Sequence, residues 1–393
     1  MNKMKEREKM LDEKGIKIFR LSTTERDEFK DCRRKWDFGS FSRQGIEPKR
    51  PHIALSFGTA IHHALEMYYS GMCMKEGITP MQMFDRFHKK QFCKSVYALR
   101  GEEIPKVLSL EDALAKADED FAKEFKETNA LGNSMIENYV NWSHKVDNTT
   151  DKGFQKVIYT EKEFAVPIPD DSGEPYHFKD ASGQEWEMWL VGRLDMVVKD
   201  WEGRIWILDH KTSKDKLDQT KLILDDQMTM YIWAAQQILQ LPVEGCYYNV
   251  LRKKLPRVPE PLKNGKSLSK AKNIDTTYDV YYQAIIDNGF DPEDYTDILN
   301  YLQNQPDTFF ERAKVRRNQH EIKMAGYFLL QEAIDMLNDP FIYPHSTWDC
   351  NWKCDYKELC QAMNRGDDVI WLKDAMFQKR KAEGVYDRES TIE

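Results

Sequence analysis

Long apolar runs are missing: nowhere in the 393 residues does one approach the roughly 20 that a membrane-spanning helix requires. The opening segment, MNKMKEREKMLDEKG, is charged throughout and has no apolar centre, which argues against a secretory signal and predicts a cytoplasmic protein. No internal repeat, low-complexity tract or Walker A loop occurs, so the chain is no helicase by itself. Cysteines number seven, an odd count that disfavours a disulfide framework and leaves metal ligation or buried thiols. A large excess of either charge is also lacking. With 58 basic and 66 acidic side chains the net charge is -8, and such a total says little about a polyanionic partner, because the field at the binding surface decides that. A hydrophobic content of 41% excludes a disordered chain and supplies a sizeable core.

Helical patterns fill the first third. Ser22 followed by Glu25 forms a capping box, and Phe29, Cys32, Arg33 and Trp36 continue at helical spacing, predicting one helix from about Ser22 to Phe38. A loop is expected from Ser42 to Pro51, a second helix opening near Gly58, and a helical insertion over residues 75–150. The character then changes to β-branched and aromatic runs, VIYTEKEFAVPI, EMWLVGRLDMVVKD, RIWILDHKT and CYYNVLRKK. Between the last two lies the helical LDDQMTMYIWAAQQILQ, so an α/β sheet decorated by helices is expected, as one domain over residues 1–393. Residues 255–340 read as a basic, mobile loop followed by helices at 277–304 and 319–338, and residues 341–393 form a cysteine-rich end.

The sharpest chemistry lies in LVGRLDMVVKDWEGRIWILDHKT, a hairpin pattern whose turn falls at Trp201–Gly203. Centring the turn on Glu202 sets Asp195 opposite Asp209, with Cβ atoms about 4.5 to 5.5 Å apart, where two carboxylates repel. A hard divalent cation such as Mg²⁺ relieves that repulsion. Lys211 follows Asp209 by two positions, so strand alternation sends both to one side and His210 to the other. An ammonium there can orient water and balance charge developing on a phosphorus centre.

Upstream, Gly58, His62 and Glu66 recur at spacings of four on one helix face, and downstream Gln227 and Tyr231 do the same. A lone helical histidine is more often structural than ligating, and the Gln/Tyr pair alone is weak. Between Arg252 and Lys272 eight basic residues, among them Arg252, Lys253, Lys254, Arg257, Lys263 and Lys266, face Glu260 alone, which suits a polyanion. Arg312, Lys314 and Arg316 alternate and would form a second basic stripe on a strand. Trp36, Tyr68 and Tyr69 could stack on bases, although aromatics at helical spacing are more often core.

Taken together, Gly58-x3-His62-x3-Glu66, Gly192-Arg193-Leu194-Asp195, Asp209-His210-Lys211-Thr212 and Gln227-x3-Tyr231 resemble, in order and spacing, the RecB-type branch of the PD-(D/E)XK nucleases. The resemblance covers about Ser22 to Arg252 and resumes at Cys350. It implies a mixed central β-sheet of restriction-endonuclease-like type with large helical additions, and a metal-dependent phosphodiesterase acting on DNA. It further implies Mg²⁺ or Mn²⁺ on His62, Asp195, Asp209 and the carbonyl of His210, Lys211 positioning the attacking water, and Gln227 and Tyr231 engaging DNA. The segment FKDCRRKWDF around Cys32 and the tail Cys350-x3-Cys354-x5-Cys360 resemble the iron-sulfur subset, which includes AddB-type and CRISPR-associated exonucleases. That likeness implies a [4Fe-4S] cluster on Cys32, Cys350, Cys354 and Cys360. Four thiolates also suit Zn²⁺, and buried thiols are the plain alternative. An exonuclease in recombination, repair or phage DNA metabolism is the expected function, with a helicase or recombinase as a possible partner. A CRISPR spacer-processing nuclease, a catalytically silent DNA-binding module of the same fold and an RNA substrate are the alternatives.

Overall fold

The β-branched runs assemble around one long strand. In the computed structural model, residues 2–392 are described except 50–52, 171, 181, 217, 264, 305–308, 339–340 and 381–390. The main sheet contains β1 (Ile16–Leu21), β2 (Lys156–Pro167), β3 (His177–Lys179), β4 (Glu185–Lys199), β5 (Ile205–Ser213), β6 (Val243–Arg252) and β7 (Phe310–Arg316). Its order is β1-β4-β5-β6-β7, with β2 and β3 on the other edge of β4. β1 pairs with β4 and β6 with β5 in parallel, and the remaining pairs are antiparallel. The expected mixed α/β sheet is therefore present.

The β4–β5 hairpin is fixed by its turn. Asp200 Oδ1 accepts from the backbone N–H of Glu202 (3.0 Å) and Arg204 (2.8 Å), and Gly203 takes φ +84°, a left-handed conformation that glycine adopts without steric cost. The register runs from Lys199 opposite Ile205 to Met196 opposite Leu208. Past that point the strands part. β1 takes the same edge of β4 up to Leu190, so Val191–Asp195 lack a strand partner there among the described residues. The sheet thus opens a notch beside Asp195.

Helices cover both faces. On one, α6 (Asp226–Leu239) and α7 (Gln319–Leu337) bury Met228, Ile232, Trp233, Leu329 and Ala333 against Leu190, Leu194 and Tyr248. On the other, α3 (Ile53–Tyr69), α4 (Pro80–Arg100) and α5 (Glu119–Val146) form a core of Phe57, Ile61, Leu65, Phe84 and Ile136 that reaches Leu251 and Phe310 of the sheet. No helix among the described residues is long and apolar enough to cross a membrane.

Four expectations need correction. The single helix after Ser22 is two, α1 (Thr23–Asp31) and α2 (Arg33–Gly39), because Cys32 turns extended at φ -160° and begins the second. Ser22 caps α1 through the Glu25 N–H (3.1 Å), but the Glu25 carboxylate turns away to Ser40 and Trp36, leaving the capping box half made. Inside the loop expected from Ser42 to Pro51, Ile46–Pro48 pairs with Phe377–Lys379 and ties the N-terminal region to the C-terminal one. Residues 277–304 are not one helix: Gly289 at φ +70° and Pro292 divide Tyr278–Asp287 from Thr296–Gln303.

Gly132 on α5 lets α4 pack close, since a Cβ there would stand 2.0 Å from Phe84 Cζ of α4. Alanine has the higher helix propensity by about 1 kcal/mol, yet overpacking a filled core costs about 1 to 3 kcal/mol. Gly132→Ala is expected to lower the urea midpoint, and an unchanged or raised midpoint would show that α4 and α5 are not held at this spacing.

Candidate active site

Asp195 and Asp209 emerge where β4 and β5 separate, just past the last hairpin pair. Asp195 Oδ2 accepts the backbone N–H of His210 at 2.8 Å, a contact that bridges the parting strands. From α3, whose Phe57, Ala60, Ile61 and Ala64 are buried, His62 presents its ring to the sheet and places Nδ1 3.3 Å from the same Asp195 oxygen. Gly58, one turn earlier, lies against Thr212, with its Cβ position 3.5 Å from Thr212 Oγ1. Glu66 turns instead to His63 at 3.3 Å.

Asp209 leads into a polar chain. Lys211 Nζ lies 2.9 Å from Asp209 Oδ2 and donates to Gln227 Oε1 at 3.2 Å. Gln227 Nε2 donates to Thr23 Oγ1 at 3.0 Å, and the Thr23 hydroxyl reaches Tyr231 OH at 3.3 Å. Asp225 caps α6 and so fixes the face on which Gln227 and Tyr231 stand. Asp209 Oδ2 is buried, and the Lys211 ammonium is the one group that meets it among the described residues. A carboxylate met by one ammonium keeps lone pairs free for a further cation.

The electrostatics follow from this crowding. Burial opposes charge on His62, but Asp195 outweighs it and pushes the imidazole up to about 9. Burial likewise opposes ionisation of Asp195, yet His62 and the His210 N–H hold it well below the usual carboxylate range. Asp209 is shifted the other way, raised by burial and by Asp195 against the pull of Lys211. Lys211 is raised in spite of burial because Asp209 faces it.

His210 lies on the opposite side of β5, as alternation requires. Its ring is 2% exposed, stacks on Tyr69 at 6.0 Å and has Nδ1 2.9 Å from Asn249 Nδ2. Burial pushes it down to about 3, so it is neutral at physiological pH. Asn249 also donates to Tyr139 (2.8 Å) and accepts from Arg312 (3.0 Å), which is paired with Asp147 at 2.7 Å. This packed layer stiffens the strand whose backbone serves Asp195. It also corrects the expected stripe on β7: Arg312 is 1% exposed and neutralised by a helix end, while Lys314 and Arg316 lie over Trp206 at 5.5 and 5.7 Å. Trp36 is interior as well, and Tyr69 is half-buried with its ring stacked on His210.

One residue escaped the sequence reading. Glu161 on β2 comes together with His62 and Asp195, their ligand atoms all within 4.8 Å of one another. Asp209, expected in that set, turns to Lys211 instead. Burial and Asp195 push Glu161 up to about 8, with Arg193 at 2.6 Å and His62 opposing the shift. Two carboxylates and an imidazole at this spacing fit a divalent ion of the Mg²⁺ or Mn²⁺ type.

Of the expected basic surface, Arg252 and Lys254 share Asp275 at 2.9 and 2.6 Å, and Lys253 Nζ lies 5.5 Å from the centre of the Phe57 ring. Arg257, Lys263 and Lys266 are exposed. The segment is anchored, since Leu268 is buried among Tyr281, Ile285 and Tyr295. The four cysteines predicted to act together stand at the junction of α1 and α2 with the C-terminal segment. The backbone N–H of His345 approaches Cys32 Sγ at 3.3 Å, that of Thr347 approaches Cys350 Sγ at 3.4 Å, and Arg34 Nη1 lies 3.5 Å from Cys360 Sγ. Burial pushes the Cys354 thiol up to about 11, with Cys350 and Cys32 contributing. Among the described residues no three of these thiols lie within 4.8 Å of one another.

A sequence model of the PD-(D/E)XK nuclease superfamily matches residues 20–361. No curated protein matches the chain. A solved structure described as the crystal structure of SSO0001 aligns at 11% identity over 70% of this chain and 95% of its own, with a TM-score of 0.25.

His62 and Glu161 both hold protons more tightly in the folded chain than in the unfolded one. The stability this lends is complete below their unfolded values and fades as pH rises through the folded ones, about 9 for His62 and about 8 for Glu161. In EDTA, the unfolding free energy should therefore fall by on the order of 1 to 3 kcal/mol as pH rises from near 6.5 to 9. Urea titrations across that window check this, and a level or rising stability would contradict the charge arrangement.

Proposed function

The chain belongs to the PD-(D/E)XK nuclease superfamily, and on that premise we propose a metal-dependent deoxyribonuclease that works as an exonuclease on single strands or duplex ends. The observation that carries this reading is the convergence of His62, Asp195, Asp209 and Lys211 on one notch of the sheet. His62 and the two aspartates would hold Mg²⁺ or Mn²⁺, with the His210 carbonyl as a further ligand. The ion supplies Lewis-acid activation of a phosphodiester and lowers the pKa of water. Lys211 points into the cleft with 39% of its side chain exposed, which suits orienting a water toward phosphorus and balancing developing charge. Gln227 accepts from the ammonium, and Thr23 in turn fixes Gln227. Tyr231 completes that chain and stands ready to meet a phosphate or base edge.

Arg257, Lys263 and Lys266 supply the exposed positive field for the DNA backbone, with Arg252, Lys253 and Lys254 at its root. DNA recombination, repair or phage DNA metabolism in the cytoplasm is the setting this activity fits, with a separate helicase or recombinase feeding ends to it. A [4Fe-4S] cluster on Cys32, Cys350, Cys354 and Cys360 belongs to the same reading, supported by N–H groups directed at three of the sulfurs. It would tie the first helices to the C-terminal segment.

End-labelled DNA should be degraded once Mn²⁺ or Mg²⁺ is added, and Asp209→Ala or Lys211→Ala should lower the rate by roughly 10²-fold or more while the far-ultraviolet spectrum is kept. Equal DNA loss by wild type and both variants would remove the enzyme reading, and faster loss of matched RNA would reassign the substrate. Protein purified without oxygen should be brown with about four irons per chain. A colourless protein with stoichiometric zinc would assign the thiols to a zinc site.

A further inference from the structure

Glu161 occupies a position that ordinary strand geometry does not explain. The pairs Thr160–Met196 and Lys162–Leu194 bracket it, so Glu161 stands across from Asp195 in the β2–β4 ladder. Two carboxylates set opposite one another destabilise a sheet. The backbone there is also strained: φ is +45°, a left-handed conformation that a glutamate within a strand rarely adopts. Such a residue persists where its surroundings over-determine it, and these positions gather at functional sites.

The strained conformation coincides with a change of environment. Neighbouring Glu163 faces solvent, whereas the Glu161 side chain is 6% exposed and brings its carboxylate to the ligand atoms of His62 and Asp195. Arg193, two positions before Asp195 on β4, meets it with Nε 2.6 Å from Oε2. A cation is therefore already in attendance on a carboxylate that a second carboxylate opposes.

We propose that Glu161 is a ligand of the divalent ion held by His62 and Asp195, and that Arg193 keeps its carboxylate in place until the ion replaces it. This rests on the reading of the notch as a metal centre, and is independent of which nucleic acid is cleaved. The alternative is a structural Glu161 that serves only to pair Arg193, a role that would leave metal affinity untouched.

The test is a Mn²⁺ titration of the full chain, with free ion followed by electron paramagnetic resonance, for wild type, Glu161→Gln and Asp195→Asn. Glu161→Gln should weaken Mn²⁺ binding by roughly tenfold or more. Wild-type affinity in Glu161→Gln beside weakened binding in Asp195→Asn would overturn the proposal alone, whereas wild-type affinity in both would remove the metal centre with it. Should Glu161→Gln fail to fold, wild-type crystals soaked in Mn²⁺ decide the matter. An anomalous peak in contact with a Glu161 oxygen supports the assignment, and a peak that leaves Glu161 on Arg193 overturns it.

Discussion

Carboxylates that repel one another are held together at the notch between β4 and β5, and much of the surrounding architecture serves to keep them there. Asp195 sits between Glu161 across the β2–β4 ladder and Asp209 just past the last β4–β5 pair, in a setting too buried for water to screen the charges fully. Cations answer from three directions, His62 from a helix, Lys211 from the same strand as Asp209, and Arg193 from the same strand as Asp195. Lys211 meets the buried Asp209 oxygen at 2.9 Å. His62, Glu161 and Asp195 bring their ligand atoms within 4.8 Å of one another, a spacing that could hold a divalent ion.

The rigidity behind the site has its own logic. His210, neutral and interior, is locked by Tyr69, Asn249 and Tyr139, and Arg312 with Asp147 closes that layer from below. Because His210 shares a backbone with Asp209 and Lys211, packing on one side of β5 fixes chemistry on the other. The Lys211–Gln227–Thr23 chain does the same for the ammonium, through α6 and α1. Side chains supported this well need little reorganisation to meet a ligand.

Much of this was legible in the sequence because it depends on local rules. The turn centred on Glu202 sets the β4–β5 register, and alternation then places Asp209 and Lys211 together and His210 apart. What was not legible depends on tertiary contact or broken periodicity. Glu161 reaches the site through a left-handed kink inside a strand, which no alternation pattern announces. Arg312 reads as surface charge until the end of α5 brings Asp147 to it, and Arg252 and Lys254 read as free until Asp275 pairs with both. The break at Cys32 was hidden in the same way, since Phe29 and Trp36 keep helical spacing across it.

The claim beneath all of this is that a divalent cation resolves the electrostatic conflict at Asp195 and Asp209. The melting temperature of the wild-type chain as a function of Mn²⁺ concentration, measured beside Asp195→Asn and Asp209→Asn, tests it most directly. The account predicts a wild-type midpoint that climbs with the logarithm of ion concentration once the site begins to fill, and much smaller shifts in both variants. A wild-type midpoint indifferent to Mn²⁺, or a rise that the variants share in full, would contradict it.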